Sequence, residues 1–380
     1  MNRRTSGRKR NERVTRDLTG FHEEALRISV RNNIVVAGVI LHVFRGPGQK
    51  SRSSGPVDSP QVALESTPEW FQTPKKVLFV LHPHIGDAVN LTAALRWMRQ
   101  AWPHCHLVAL TSPAARPILE STGRTDEVWN RPDSWVEKLT FVSNVRKGNF
   151  DLAVFAYPQR SFLRLVRKGG ARRVVGIRDK PSENWDFSVP ERLGSVKVPG
   201  EVADLLSSLG CDCRDARPEV GPTKDQMENA DLVLEGRAHP RVALHTGSSD
   251  PQKRWPSERF GFLAERALDQ GWTPVFVGGS DEASVVAGLG LEKHVDTTGR
   301  LSLLETAAVL AKCDVLISGD SGPVHLAAAM GTPCLVLYGP TKASDHAPFG
   351  TGHKFFQCDR LDELAGQEVW AAVKEMLSDR

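Results

Sequence analysis

Residues 315–338 read VLISGDSGPVHLAAAMGTPCLVLY. An apolar run, Val315–Ser318, leads into a polar turn, Asp320-Ser321-Gly322-Pro323-Val324-His325. A helical run, Leu326–Met330, and a second apolar run, Cys334–Tyr338, follow. Strand, glycine-containing turn, helix, strand is the repeating unit of a parallel α/β sheet. Such sheets bind ligands beyond the carboxyl ends of their strands. A helix that starts there aims free backbone N–H groups and roughly half a positive charge at the ligand. Ser321 and Gly322 permit close approach of a phosphate, and Asp320 and His325 add a carboxylate and an imidazole. The turn is expected to hold a phosphorylated ligand, a nucleotide before others.

The same alternation extends in both directions. Upstream, strands are expected at Val242–His245, Pro274–Gly278 and His294–Thr297, with helices at Ser257–Gln270, Asp281–Leu289 and Ser302–Ala311 between them. Ser302 followed three residues later by Glu305 fits a capping box. A final helix is expected over Leu361–Ser378. A separate series precedes this one. Its strands are Val77–Leu81, His106–Leu110, Val128–Trp129, Leu152–Ala156 and Val174–Ile177; its helices are Ala88–Ala101, Ala114–Glu120 and Glu201–Leu209, the last closed by Gly210. The expected architecture is α/β, with two Rossmann-like domains facing across a cleft. The segments are 1–74 (basic extension and linker), 75–222 (first domain), 223–358 (second domain) and 359–380 (C-terminal helix).

Composition narrows the class. The chain has 380 residues and a net charge of +4, enough for about two domains with full cores. The charge is concentrated in residues 1–60, which hold 12 Lys/Arg against 5 Asp/Glu. Such a tail touches anionic lipid or nucleic acid, or is simply solvated. Ile34–Phe44 is apolar but too short for a transmembrane helix, which needs about 20 such residues. No signal peptide is evident, so the six cysteines are expected to be reduced thiols. Cys211-x-Cys213 lacks the second pair that a zinc site requires.

Three further loops carry chemistry. His245-Thr246-Gly247-Ser248 through Lys253 follows a strand, and its small hydroxyl residues can ring a phosphate while Lys253 supplies a full charge. Phe276-Val277-Gly278-Gly279-Ser280-Asp281-Glu282 offers Glu282 to ribose hydroxyls or, equally, to a helix N-terminus. In the first domain, His82-Pro83-His84-Ile85-Gly86-Asp87 places Asp87 either as a proton acceptor or as an N-cap. Arg160, Arg164, Arg167, Lys168, Arg172 and Arg173 form a basic cluster that suits an anionic acceptor or a solvated face. There is no D-x-D metal–diphosphate motif, no P-loop and no nucleophile elbow.

Taken together, VLFVLHPHIGDAVNLTAALRWMRQAWP, VALHTGSSDPQKRWPSERF, VFVGGSDE and the D-S-G-P-x-H-L-A-A-A-x-G-T-P…G-P-T stretch resemble glycosyltransferase family 9, the lipopolysaccharide heptosyltransferases. The resemblance covers roughly residues 75–358. It implies a GT-B fold and inverting, metal-independent transfer from a nucleotide-diphosphate sugar, ADP-heptose in particular, to a lipopolysaccharide-core or other glycolipid acceptor. It also implies roles for single residues. Asp87 is the general base and Lys253 binds the diphosphate. Thr246, Gly247 and Ser248 line the phosphate or base pocket, and Glu282 holds the ribose. Asp320 contacts the donor sugar, Ser321 and Gly322 donate to phosphate oxygens, and His325 supports their loop. No cofactor, metal or nucleic acid is implied, and the expected location is cytoplasmic, with the inner membrane face left open. A non-catalytic nucleotide-sugar-binding module and a GT-B epimerase are the alternatives. Two departures stand out: Val198-Pro199-Gly200-Glu201-Val202 lacks the His common in the family's segment there, and the 70-residue extension lies outside its usual pattern.

Overall fold

The computed structural model describes residues 43–44, 67–179, 184–191 and 197–378. Most of the basic extension, and with it the expectation of lipid contact by the tail, lies outside these residues. Of the apolar run Ile34–Phe44, only the short strand β1 (Val43–Phe44) is described. The first unit contains β2 (Lys76–Val80), α1 (Ile85–Ala101), β3 (His106–Thr111), α2 (Arg116–Ser121), β4 (Glu127–Asn130), α3 (Trp135–Gly148), β5 (Leu152–Phe155), α4 (Arg160–Gly169), β6 (Arg173–Arg178), β7 (Phe187–Pro190) and α5 (Lys197–Ser208). The second contains α6 (Lys224–Val233), β8 (Arg241–His245), α7 (Ser257–Asp269), β9 (Thr273–Phe276), α8 (Ser280–Ala287), β10 (Val295–Asp296), α9 (Leu303–Leu310), β11 (Val315–Gly319), α10 (Gly322–Ala329), β12 (Cys334–Tyr338), α11 (Ala343–His346), β13 (Lys354–Gln357) and α12 (Gly366–Ser378).

All strand pairs are parallel. The first sheet runs β4-β3-β2-β5-β6-β7 and the second β1-β13-β12-β11-β8-β9-β10. Apart from the added β1, both are doubly wound, and the chain reverses direction across each sheet between its first and fourth strands. Those switch points are β2/β5 and β8/β11. Strand residues alternate between two helical layers as the pleat requires. Val77 and Phe79 enter one core with α1 and α5, while Leu78 and Val80 enter the other with α3 and α4. The second sheet is covered in the same way on both faces. No helix among the described residues is long and apolar enough to cross a membrane.

Several local expectations need correction. Helix α1 begins at Ile85, three residues before the expected Ala88, so Asp87 lies inside the first turn. The N-cap is His84, whose side chain caps nothing. The capping box at Ser302/Glu305 is present, but the same device at Ser134/Glu137 and Thr223/Gln226 starts α3 and α6, two helices not expected from the apolar pattern. Strands β7 and β13 were also not expected. Cys211 and Cys213 are buried free thiols, and burial pushes the Cys213 thiol up to about 12. Among the described residues, no cluster of three or more His, Cys, Asp or Glu is arranged to hold a metal ion.

The two units meet through helix N-termini. Val89 and Ile118, from the first unit, are buried within a core of the second, and Ile85 packs against it. Two glycines set the approach. A Cβ on Gly86 would lie 2.6 Å from His325 Cδ2, and one on Gly322 would lie 3.0 Å from Ile85 Cγ2. Ala is the better helix former, so on propensity alone Gly86→Ala would stabilise α1. The clash predicts the opposite: a loss of about 1–3 kcal/mol, seen as a lower unfolding midpoint by calorimetry. Gly200→Ala, where a Cβ meets nothing within 4 Å, is the matched control.

Candidate functional site

The loops that follow the switch-point strands converge where α1 meets α10. From the first unit come His82, His84 and Asp87 after β2, and Tyr157 and Gln159 after β5. From the second come Thr246–Lys253 after β8 and Asp320–Gly322 after β11. The doubly wound order dictates this, because adjacent strands whose crossovers run to opposite faces leave a crevice at their carboxyl ends.

Asp87 stands with its Oδ2 2.9 Å from His82 Nδ1, and its side chain is 33% exposed. The two groups are in close contact, although His82 Nδ1 is not well directed at the carboxylate. Burial raises the Asp87 carboxyl, but its close contact with His82 is the largest opposing influence, and the shift is to below the usual carboxylate range. The His82 ring is packed between His84 and Tyr157, at centroid distances of 4.4 and 4.3 Å. Arg131, which follows β4, bonds the Leu81 carbonyl at 2.9 Å and the Tyr157 hydroxyl, and lies over the Phe162 ring. Burial, followed by repulsion from His82, lowers His84 from its ordinary value.

Across from Asp87, Lys253 Nζ donates to Asp320 Oδ2 at 2.7 Å, and Thr341 Oγ1 donates to the same oxygen at 2.9 Å. Asp320 is buried, so its charge needs this pairing. The Lys253 loop is seated on glycines: a Cβ on Gly319 would lie 2.4 Å from the Lys253 carbonyl, and one on Gly339 would lie 3.3 Å from that of Gln252. His325 is buried, which lowers its pKa and keeps it neutral. Asn90 Nδ2 lies 3.3 Å from its Nδ1. With an amide donating, Nδ1 is the bare nitrogen and Nε2 carries the hydrogen. His325 thus holds α10 against α1.

The Ser321 hydroxyl faces inward. Its Oγ lies 2.9 Å from Ser318 Oγ and 3.2 Å from His245 Nδ1; His245 Nδ1 is in turn 3.0 Å from Ser318 Oγ. Burial holds His245 down to about 4, so it is a neutral partner. The side chain does not cap α10, Pro323 has no N–H, and the Val324 N–H bonds the Ser321 carbonyl. The donors this turn can offer are therefore the backbone N–H groups of Ser321 and Gly322.

Beside this lies a pocket of about 340 Å³ lined by Thr246, Gly247, Arg254, Trp255, Asp281 and Glu282, among others. Glu282 Oε2 accepts the Gly279 N–H at 2.6 Å, and a Cβ on Gly247 would fall 1.9 Å from Glu282 Oε1. Glu282 thus serves the helix N-terminus and also walls the pocket. Ser248 Oγ accepts the Asp250 N–H at 3.3 Å and shapes the loop. Thr246 Oγ1, and Gln159 Oε1 on the opposite unit, are buried without partners among the described residues. Buried polar atoms are rarely left unpaired unless a ligand or water completes them.

The sequence-predicted residues Asp87, Thr246, Gly247, Ser248, Lys253, Glu282, Asp320, Ser321, Gly322 and His325 thus surround one region, whereas the basic cluster does not. Arg160 and Arg164 start α4 at the edge that carries Asp87. Arg167, Lys168, Arg172 and Arg173 lie at the opposite edge, because α4 runs the length of the sheet. Arg160, Arg167, Arg172 and Arg173 also meet Asp179, Asp186, Asp151 and Asp186, respectively. His82, His84, Asn90, Arg131, Tyr157, Gln159, His245 and Thr341 were missing from the predicted set. Most follow a strand directly, and reading every strand's carboxyl end would have found them.

Comparison with known proteins identifies the family and the fold. Residues 181–364 match the family described as Glycosyltransferase family 9 (heptosyltransferase). The chain is 31% identical to lipopolysaccharide heptosyltransferase 2 of Escherichia coli over 70% of its own length and 83% of the relative's. To lipopolysaccharide heptosyltransferase 1 of Pseudomonas aeruginosa it is 33% identical, over 72% and 81%. Among solved structures, a family 9 glycosyl transferase from Veillonella parvula superposes with a TM-score of 0.71 at 21% identity, covering 80% of this chain and 98% of that one. The ADP-heptose LPS heptosyltransferase II of E. coli gives 0.65 at 18% identity, covering 80% and 99%. The chain has the GT-B fold and belongs to glycosyltransferase family 9, which makes it a glycosyltransferase.

Proposed function

We propose that this enzyme moves a heptose-like sugar from ADP-heptose to a lipopolysaccharide-core or related glycolipid acceptor, with inversion and without a metal ion. The observation that carries the reading is the opposition of Asp87 on one unit to the Lys253–Asp320 pair and the α10 N-terminus on the other. The relatives' names supply the sugar and acceptor classes, and one similar E. coli structure was solved with ADP-2-deoxy-2-fluoro heptose.

In this mechanism Asp87 takes the proton of the acceptor hydroxyl as its oxygen bonds to the anomeric carbon. The bond from that carbon to the diphosphate oxygen breaks on the opposite face. Negative charge grows on the diphosphate, where Lys253 and the N–H groups of Ser321 and Gly322 meet it. Lys253 has three N–H donors and gives one to Asp320, so it is oriented and still able to bind phosphate. Thr246, Gly247 and Ser248 line the phosphate or base pocket, and Glu282 faces the ribose. Asp320 takes a sugar hydroxyl on Oδ1. His325 holds the α10 turn in place.

Two outcomes test this. Asp87→Ala is expected to lower kcat by about 10²–10⁴-fold while ADP binding, read by calorimetry, persists. Lys253→Met is expected to weaken ADP binding and turnover together. Full turnover by the Asp87 variant would rule out its role as base.

The acid limb of kcat/KM reports the base in the free enzyme. Asp87 is ionised above its lowered pKa, so activity is kept as pH falls through the ordinary carboxylate range and is lost only below it. His82→Phe removes the neighbour that lowers this group most. The acid limb should then move to higher pH; an unmoved limb would mean that another group titrates.

A further inference from the structure

Five large apolar side chains are strongly exposed among the described residues, and three of them lie together. Trp135, Val136 and Leu139, on the first turns of α3, are 72%, 52% and 55% exposed. Their spacing keeps them on one side of the helix, while Phe141, Val142 and Val145 make its core face. The capping box at Ser134/Glu137 fixes this helix start, so the patch stands on a rigid element.

Its surroundings are basic. Helices α3 and α4 pack side by side on one face of the first sheet. Near the Trp135 end they carry Lys138 on α3 and Arg160 and Arg164 on α4, with Glu137 engaged in the capping box and Arg160 also meeting Asp179; Arg146, Lys147, Arg167 and Lys168 lie at the far ends. Both helices start at the carboxyl edge of a parallel sheet. The apolar tip of α3 and the Arg160/Arg164 end of α4 therefore share an edge with His82 and Asp87.

We propose that this edge is a docking surface for an anionic lipid bilayer, with Trp135, Val136 and Leu139 in the headgroup region and Lys138, Arg160 and Arg164 against lipid phosphates. Exposed Trp beside Leu and Val, backed by Lys and Arg, is the chemistry of interfacial binding. The surface is separate from the basic N-terminal extension. It deepens the proposed function, resting on the reading that the acceptor is a glycolipid: such an acceptor would reach Asp87 from the plane of its own membrane.

Flotation of the full chain with vesicles of phosphatidylethanolamine and about one-third phosphatidylglycerol tests the surface without any acceptor. Trp135→Ser combined with Leu139→Ser is expected to weaken binding by about tenfold or more. Leu232→Ser, which removes an exposed apolar side chain on α6, should leave binding unchanged. Turnover of a lipid-free core glycan should be the same in all three proteins and reads the proposed function on its own. Unchanged flotation of the double variant would overturn the proposal. So would a double variant that instead shifts the mass in sedimentation, which would identify the patch as a contact between copies of the chain.

Discussion

The close approach of two helix N-termini governs this enzyme. Helix α1 begins under the proposed acceptor side of the site and α10 under the proposed donor side, and they touch through Gly86 against His325 and Gly322 against Ile85. Both helix starts carry partial positive charge, so bringing them together costs electrostatic energy. Several features offset it. Asp87 puts a carboxylate in the first turn of α1, Asp320 does the same just before α10, and His325 crosses the junction as a neutral ring bonded to Asn90. Apolar contact from Val89 and Ile118 supplies the remaining attraction. The carboxylates to which the proposed mechanism gives roles thus also help the two units meet.

The same arrangement explains the state of Asp87. Its contact with His82 is the largest influence opposing burial, and the net effect lowers it. A carboxylate held in this way is ionised at neutral pH but is a weak proton acceptor. In the proposed reaction that is enough, because the acceptor hydroxyl acidifies as its oxygen bonds to carbon, so proton transfer becomes favourable late in the displacement. His245 shows the complementary use of burial. Kept neutral, it holds the hydroxyls of Ser318 and Ser321 inward and leaves the backbone of the α10 turn facing the site.

Much of this was legible in the sequence, for identifiable reasons. Continuous apolar runs such as Val77–Leu81 and Cys334–Tyr338 announce strands buried on both faces. The polar loops between them had to lie at strand ends, which found Asp320–His325, Thr246–Lys253 and Glu282. The failures are equally specific. The apolar residues of α4, Phe162, Leu163 and Val166, are spaced as a helix, but four basic residues among them drew attention to charge instead. Helices α3 and α6 are thin in apolar residues and are marked chiefly by their capping boxes. The pairing of Lys253 with Asp320 spans 67 residues, and no local pattern encodes a contact at that separation.

The two halves of the site also differ in what builds them. On the donor side, the Lys253 loop is pressed against Gly319 and Gly339, and Glu282 lies against Gly247. Such backbone contacts tolerate almost no side chain, so they impose glycines at fixed spacings and leave a recognisable motif. The acceptor side is assembled from side chains that follow three separate strands: His82 and Asp87 after β2, Arg131 after β4, and Tyr157 and Gln159 after β5. Apart from Gly86, these positions are held by side-chain contacts rather than by glycines. The donor half is therefore constrained by packing, whereas the acceptor half is free to vary in loops on a rigid sheet. That difference explains why the short sequence around Asp87 was a weaker signal than the one around Asp320, although the two loops face each other across one site.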